Sequence, residues 1–226
     1  MDKKEQKQLI HSFIYFLLYT GLIFFFTALP IPVLVNFGSN TINAETIQAN
    51  SIYLICHLFI AILGGMLFFQ RFKEDFFAMM ALHKKALTYI GIFFLIFMIG
   101  NLLHTKISPS ENELSFLMMG YTLTKGQIPF YVIIFLVTGP MTEALVYEEI
   151  IINQLSRYLP TYGLCLFSAL LFMIAHLSLS KHLFVYLSYF IILLGINFIY
   201  IKTNRNIWLL TLGHIFNNTL IFLTLI

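Results

Sequence analysis

The chain has 226 residues, 59% of them hydrophobic and only 10% charged, with a formal net charge of +3 and a mean hydropathy of +0.87. A soluble domain carries about 25% charged residues, so this composition excludes one and defines a polytopic membrane protein. The charge is too small and too scattered for a nucleic-acid-binding protein. Cys56 and Cys165 lie far apart in apolar runs and define no disulfide framework.

Residues 1–8, MDKKEQKQ, are a short basic head. The uncharged run to Val35, centred on FIYFLLYTGLIFFFTAL, is too long and too aromatic for a signal-peptide core. It reads as a retained helix ended by Pro30 and Pro32. A second apolar run, Thr46–Gln70, leads into RFKEDFF, which mixes charge with Phe72, Phe76 and Phe77 and fits an interfacial stretch. Lys84 and Lys85 precede a third run, Ala86–Thr105; residues 106–125 are a polar connection in which LSFLMMGY reads as an interfacial turn. Further runs follow from Gly126 through the Glu143 region, over Tyr158–Ser180, over His182–Ile201 and over Asn206–Ile226. A spanning helix needs about 20 predominantly apolar residues, and these windows supply them. The expected fold is all-α: a polytopic transmembrane helical bundle of about seven spans, or eight if Gly139-Pro140 breaks the long run 126–158.

The cations support that count. With the N-terminus inside, seven spans put Lys3, Lys4, Lys7, Arg71, Lys73, Lys84, Lys85, Arg157, Lys202 and Arg205 on the inner side, against Lys106, Lys125 and Lys181 outside. This asymmetry predicts a multi-pass protein of the plasma membrane with a cytoplasmic N-terminus.

Only one stretch, Gly139–Pro160, brings carboxylates into an apolar run: Glu143, Glu148 and Glu149. An ionisable group inside a bilayer is costly and usually faces a protein interior with a task there. Counted from the inner ends of their helices at 1.5 Å per residue, Glu143, His176 and Asn218 lie about 21, 22 and 20 Å deep, with His214 one turn lower than Asn218. His214 and Asn218 are four apart and share a helix face, as do Phe172 and His176, and Glu143 and Tyr147. A carboxylate and an imidazole can hold and deprotonate a water; a second imidazole and an amide N–H can stabilise an oxyanion. Taken singly, each of these groups also fits interhelical hydrogen bonding. Glu148 and Glu149 read first as an interfacial charged pair near Arg157. His11, His57, His83, His104 and His182 stand in no motif.

Phe172-Met-Ile-Ala-His176 and His214-Ile-Phe-Asn-Asn218, following the Glu143 stretch in that order, resemble the CPBP intramembrane proteases, the CAAX-protease and bacteriocin-processing (Abi) group with Rce1-like members. Their pattern is Glu-Glu-x-x-x-Arg just after a Pro, then Phe-x-x-x-His, then His-x-x-x-Asn. The resemblance covers roughly Gly139 to the C-terminus. The first motif aligns in two ways. Glu148-Glu149 supplies the visible pair, with Asn153 in place of Arg. Alternatively Pro140-Met-Thr-Glu143 keeps the spacing from Pro and the aromatic at Tyr147, with Ala144 replacing the second Glu and Glu148 replacing the Arg. The second alignment needs no insertion and is preferred.

The resemblance implies one membrane domain over 1–226, with variable N-terminal helices over 1–125 and a catalytic core over 139–226. It implies an endopeptidase in which Glu143 activates water, His176 is its partner, and His214 and Asn218 form the oxyanion site. Tyr147, Glu148, Glu149 and Phe172 support them. The family carries a metalloprotease label, and Glu143, His176 and His214 could ligate zinc, but the resemblance favours water activation with no cofactor. The implied partners are the lipid bilayer and a membrane-presented peptide or protein substrate. A non-catalytic bacteriocin-immunity or peptide-binding protein of the same fold is the rival; a transporter with a Glu143–histidine proton relay is the third class, disfavoured by the lack of an inverted repeat.

Overall fold

The computed structural model describes residues 3–28, 44–107, 123–176 and 187–225, and among these the regular structure is entirely helical. The helices are α1 (Lys3–Ala28), α2 (Ala44–Leu67), α3 (Phe69–Ala81), α4 (Lys84–Ile107), α5 (Ile128–Arg157), α6 (Thr161–Ala175), α7 (Leu187–Lys202) and α8 (Ile207–Leu225). Seven of them fall on the seven apolar runs, and the eighth, α3, falls on the RFKEDFF stretch. The basic head continues into α1, which stops at Ala28, ahead of Pro30. The LSFLMMGY turn and the loop at 36–43 lie outside the described residues.

Asn50–Leu67 and Ile128–Arg157 are long and apolar enough to cross a membrane. Thr161–Ala175, Tyr189–Lys202 and Ile207–Leu223 are shorter apolar helices. The chain is therefore a multi-pass helical membrane protein. At the α3–α4 junction it bends by 112°, and His83 adopts the left-handed region there (φ 51°). The amphipathic α3 buries Phe72, Asp75 and Met79 and leaves Phe69, Phe77 and Met80 exposed.

Gly139-Pro140 does not divide the long run. The helix continues across it from Ile128 to Arg157, so the eighth span expected from a break there does not form. The cause is a wide turn over Ile134–Thr138, where the Gly139 N–H reaches back five residues to the Ile134 carbonyl. This local π-helix absorbs a proline that would collide with an ordinary α-helical turn.

One buried apolar cluster draws on every helix: Tyr15 and Tyr19 from α1, Ile60 from α2, Phe72 from α3, Phe93 and Phe97 from α4, residues 144–147 and 150–152 from α5, Cys165 and Ala169 from α6, Ile196 and Tyr200 from α7, and Leu209 from α8. α4 and α8 pack closely at Gly213. A Cβ there would lie 2.5 Å from the Phe93 Cβ and 3.1 Å from both the Ile90 carbonyl oxygen and the Phe94 nitrogen. Small residues at such crossings let transmembrane backbones approach. Gly213→Ala is expected to lower stability by about 1–3 kcal/mol through overpacking, read as a drop in Tm of the detergent-solubilised protein; an unchanged Tm would contradict this packing.

Candidate active site

The site is built on α5, which departs from α-helical geometry twice. Besides the turn at Ile134–Thr138, the whole of Ala144–Gln154 is π-helical, beginning on the residue after Glu143. Closure from i to i+5 stacks residues five apart one above the other, where an α-helix would splay them. Glu143 and Glu148 thereby come onto one side, and Glu143 lies within electrostatic reach of Glu148 and Tyr147. π-Helical turns are rare and are found frequently at functional sites.

From α8, His214 places its Nδ1 3.7 Å from Glu143 Oε2, with both side chains partly exposed to the space between the helices. The imidazole is held from the other side by Phe97 of α4, whose ring stacks on it at 4.2 Å and 18°. One turn on, the Asn218 Nδ2 donates to the Phe135 carbonyl at 2.9 Å. Pro140 explains this contact. In the wide turn the donor to Phe135 O would be residue 140, and proline has no N–H. Its acceptor is taken by a side chain from α8, which ties α8 to the turn that precedes Glu143. The neighbouring Asn217 is buried and donates to the Asn218 Oδ1 at 3.3 Å.

His176 closes α6. Its Nδ1 lies 2.8 Å from the Phe172 carbonyl oxygen. That oxygen can only accept, so Nδ1 carries a proton, and in the neutral ring Nε2 is an acceptor. His176 and His214 are within electrostatic reach of one another. An aromatic line packs His176 against α5: Tyr19 to Tyr147 at 6.2 Å, Tyr147 to Phe172 at 5.0 Å, Phe172 to His176 at 4.2 Å and His176 to Tyr189 at 4.9 Å. Tyr147 and Phe172 therefore meet, edge to face. Sequence spacing gave no sign of Phe97, Phe135 or Tyr189, which lie on other elements and stand in no motif.

Glu148 and Glu149 are not an interfacial pair. They are 2% and 1% exposed. Glu149 accepts from Arg71 Nε at 3.1 Å, from Asn153 Nδ2 at 2.9 and 3.1 Å, and from Gln154 Nε2 at 3.4 Å. Its cation comes from α3 and not from Arg157 as expected. The π-turn is the reason: it wraps this part of α5 so that all but one residue from Ala144 to Gln154 is buried. Among the described residues no Lys or Arg pairs with Glu148.

Zinc would need three protein ligands around one point. Among the described residues no three His, Cys, Asp or Glu side chains are grouped closely enough to hold a metal ion.

These features define a class: a polytopic helical membrane protein whose C-terminal helices bring a carboxylate and an imidazole together beside a second imidazole and a carboxamide. Residues 125–220 match the family model described as type II CAAX prenyl endopeptidase Rce1-like, which bears out the CPBP/CAAX-protease recognition made from the motifs. It is a protease family, whose substrates are peptides or proteins. No curated protein and no solved structure matches the chain.

The two buried carboxylates should respond oppositely to substitution. Glu149→Ala leaves Arg71 without its cross-helix carboxylate and is expected to cost about 3–5 kcal/mol. Glu148→Gln removes a buried carboxyl with no cationic partner and is expected to leave Tm unchanged or raise it. Thermal unfolding of both variants in one detergent checks the contrast.

Proposed function

We propose that the protein is an intramembrane endopeptidase of the CPBP (CAAX-protease) group, held in the plasma membrane with its N-terminus in the cytoplasm. Glu143 is its general base. The carboxylate accepts a proton from a water whose oxygen attacks the scissile carbonyl carbon. His176 orients that water through Nε2, the acceptor left by the Nδ1–H donation to Phe172. His214 Nδ1–H, directed into the same space, donates to the tetrahedral oxyanion. Asn218 adds a donor, since its amide has two N–H groups and one suffices for Phe135. When the C–N bond breaks, the proton held by Glu143 passes to the leaving amine nitrogen, and no metal is required.

The observation that carries this reading is the 3.7 Å approach of Glu143 to His214 from two different helices. Such an approach is longer than a direct hydrogen bond and leaves both groups able to serve one water and one substrate carbonyl. It also supports the alignment in which Glu143, and not Glu148 or Glu149, is the reactive carboxylate. The substrates we infer are membrane-presented peptides: leader or signal peptides, peptide pheromones or bacteriocin precursors.

Ala144 and Glu148, at the positions of the motif's second Glu and its Arg, favour a second reading: a bacteriocin-immunity or peptide-binding protein without catalysis. Reconstitution with a library of leader peptides, read by mass spectrometry, separates the two. For a protease, Glu143→Ala, His176→Ala and His214→Ala each reduce cleavage by about 100-fold or more at unchanged protein level. Cleavage that survives Glu143→Ala removes that residue as the base, and function in a deletion strain that survives all three points to immunity. EDTA is expected to leave turnover unchanged; its loss, restored by zinc, would put a metal on the three residues above.

A further inference from the structure

We propose that Arg71 is a positioning residue for the Glu143–His214 pair, supplying from α3 the guanidinium that the first motif lacks on α5. The proposal deepens the protease reading and rests on it, but its geometric part stands independently.

Arg71 uses its planar fork in three directions. Nε donates to Glu149 on the π-helical part of α5 at 3.1 Å, Nη1 pairs with Asp75 on its own helix at 2.9 Å, and Nη2 donates to the Arg205 carbonyl at 2.7 Å. Glu149 sits in the π-helix that starts next to Glu143. Arg205 sits in the turn that starts α8, the helix of His214. One side chain thus ties together the two elements that present the reactive pair. A lysine has the charge but not this fork.

The Arg205 acceptor is itself fixed. Asn204 and Arg205 both lie in the left-handed region, at φ 55° and 58°, a conformation that costs a non-glycine residue about 1 kcal/mol or more and persists only where the surroundings impose it. The Arg205 side chain turns back onto α5, donating to Asn153 Oδ1 at 3.0 Å and Ser156 Oγ at 2.6 Å. Asp75 then orders the first turn of α8 by accepting the Ile207 N–H at 2.8 Å, and Asn206 caps the same turn through Trp208 N and Leu209 N while donating to the Asp75 carbonyl. The Arg205 side chain is thus a second, direct tie between α5 and the start of α8.

The test uses the full chain with Cys56→Ser and Cys165→Ala. In this parent, Glu143→Cys and His214→Cys are joined by a short membrane-permeable bifunctional thiosulfonate. The same pair is examined with Arg71→Gln and with Arg71→Gln/Glu149→Gln, which avoids an unpaired buried carboxylate and keeps the protein folded. Cross-linking should fall about tenfold in both backgrounds relative to the parent, as expected if the two ends lose their common anchor. Equal cross-linking in the folded double variant and the parent overturns the proposal, because Arg71 would then merely neutralise Glu149. For turnover of a leader peptide, Arg71→Lys should lower kcat roughly 10- to 100-fold with KM little changed; wild-type kcat in Arg71→Lys overturns it equally. A wild-type chain that cleaves nothing would end the protease reading, while the cross-linking arm would still decide the role of Arg71.

Discussion

A carboxylate taken out of water is held in place only by a cation or by a set of donors, and Glu149 has both. Arg71 meets it from 78 residues away in sequence, and the Asn153 and Gln154 amides complete its shell. Removing one member of such a pair leaves a buried charge exposed to the full desolvation cost, so the geometry around it is narrowly constrained. That constraint turns α3 from a short interfacial appendage into a structural member. α3 must lie where Arg71 reaches α5, and there Asp75 reaches the first turn of α8 and the Phe72 carbonyl accepts the Trp208 indole N–H at 2.7 Å.

The second constraint is the winding of α5. In an α-helix, Glu143, Tyr147, Glu148 and Glu149 would spread around the axis, and some would face lipid. π-Helical winding brings residues five apart into line and buries nearly the whole segment. The same winding lets Pro140 stand inside a continuous helix. The carbonyl that proline leaves without a helical donor then recruits Asn218. Pro140 and Asn218, far apart in the sequence, are therefore two halves of one hydrogen-bonding account, and its effect is to hold α8 in register against the turn before Glu143.

The sequence made much of this legible, through a few strong signals. Hydropathy located seven of the eight described helices, because a helix in a bilayer must be predominantly apolar. The depth count from each helix end put Glu143, His176 and Asn218 at a similar depth with His214 about a turn lower, and in the structure Glu143 and His214 approach one another. The His-x-x-x-Asn spacing put His214 and Asn218 on one face. What stayed hidden depends on non-local packing or on backbone winding. No local signal marks a π-helix: Gly139-Pro140 suggested a break, and the outcome was a wide turn. Two adjacent glutamates twenty-odd residues into an apolar run suggested water and Arg157, because sequence proximity offered Arg157 while the true partner, Arg71, sat in a stretch read as interfacial. Depth arithmetic does not contain helix rotation, which brings His214 Nδ1 to 3.7 Å from Glu143 Oε2.

The match to the family spans residues 125–220, and the earlier helices carry no motif of it. Packing draws no boundary there. His214 is stacked on Phe97, Tyr147 packs on Tyr19, Glu149 is neutralised by Arg71, and α8 begins on Asp75. Each of these partners precedes residue 125. A segment beginning at 125 would retain every motif residue yet leave a buried carboxylate without its cation, an imidazole without its stacking ring and the Ile207 N–H without its Asp75 acceptor. Between Ala144 and Gln154 α5 has no cation of its own, and its buried Glu149 is paired from outside by Arg71. In this chain the helices before residue 125 complete the packing and ion pairing around Glu143, Glu149 and His214.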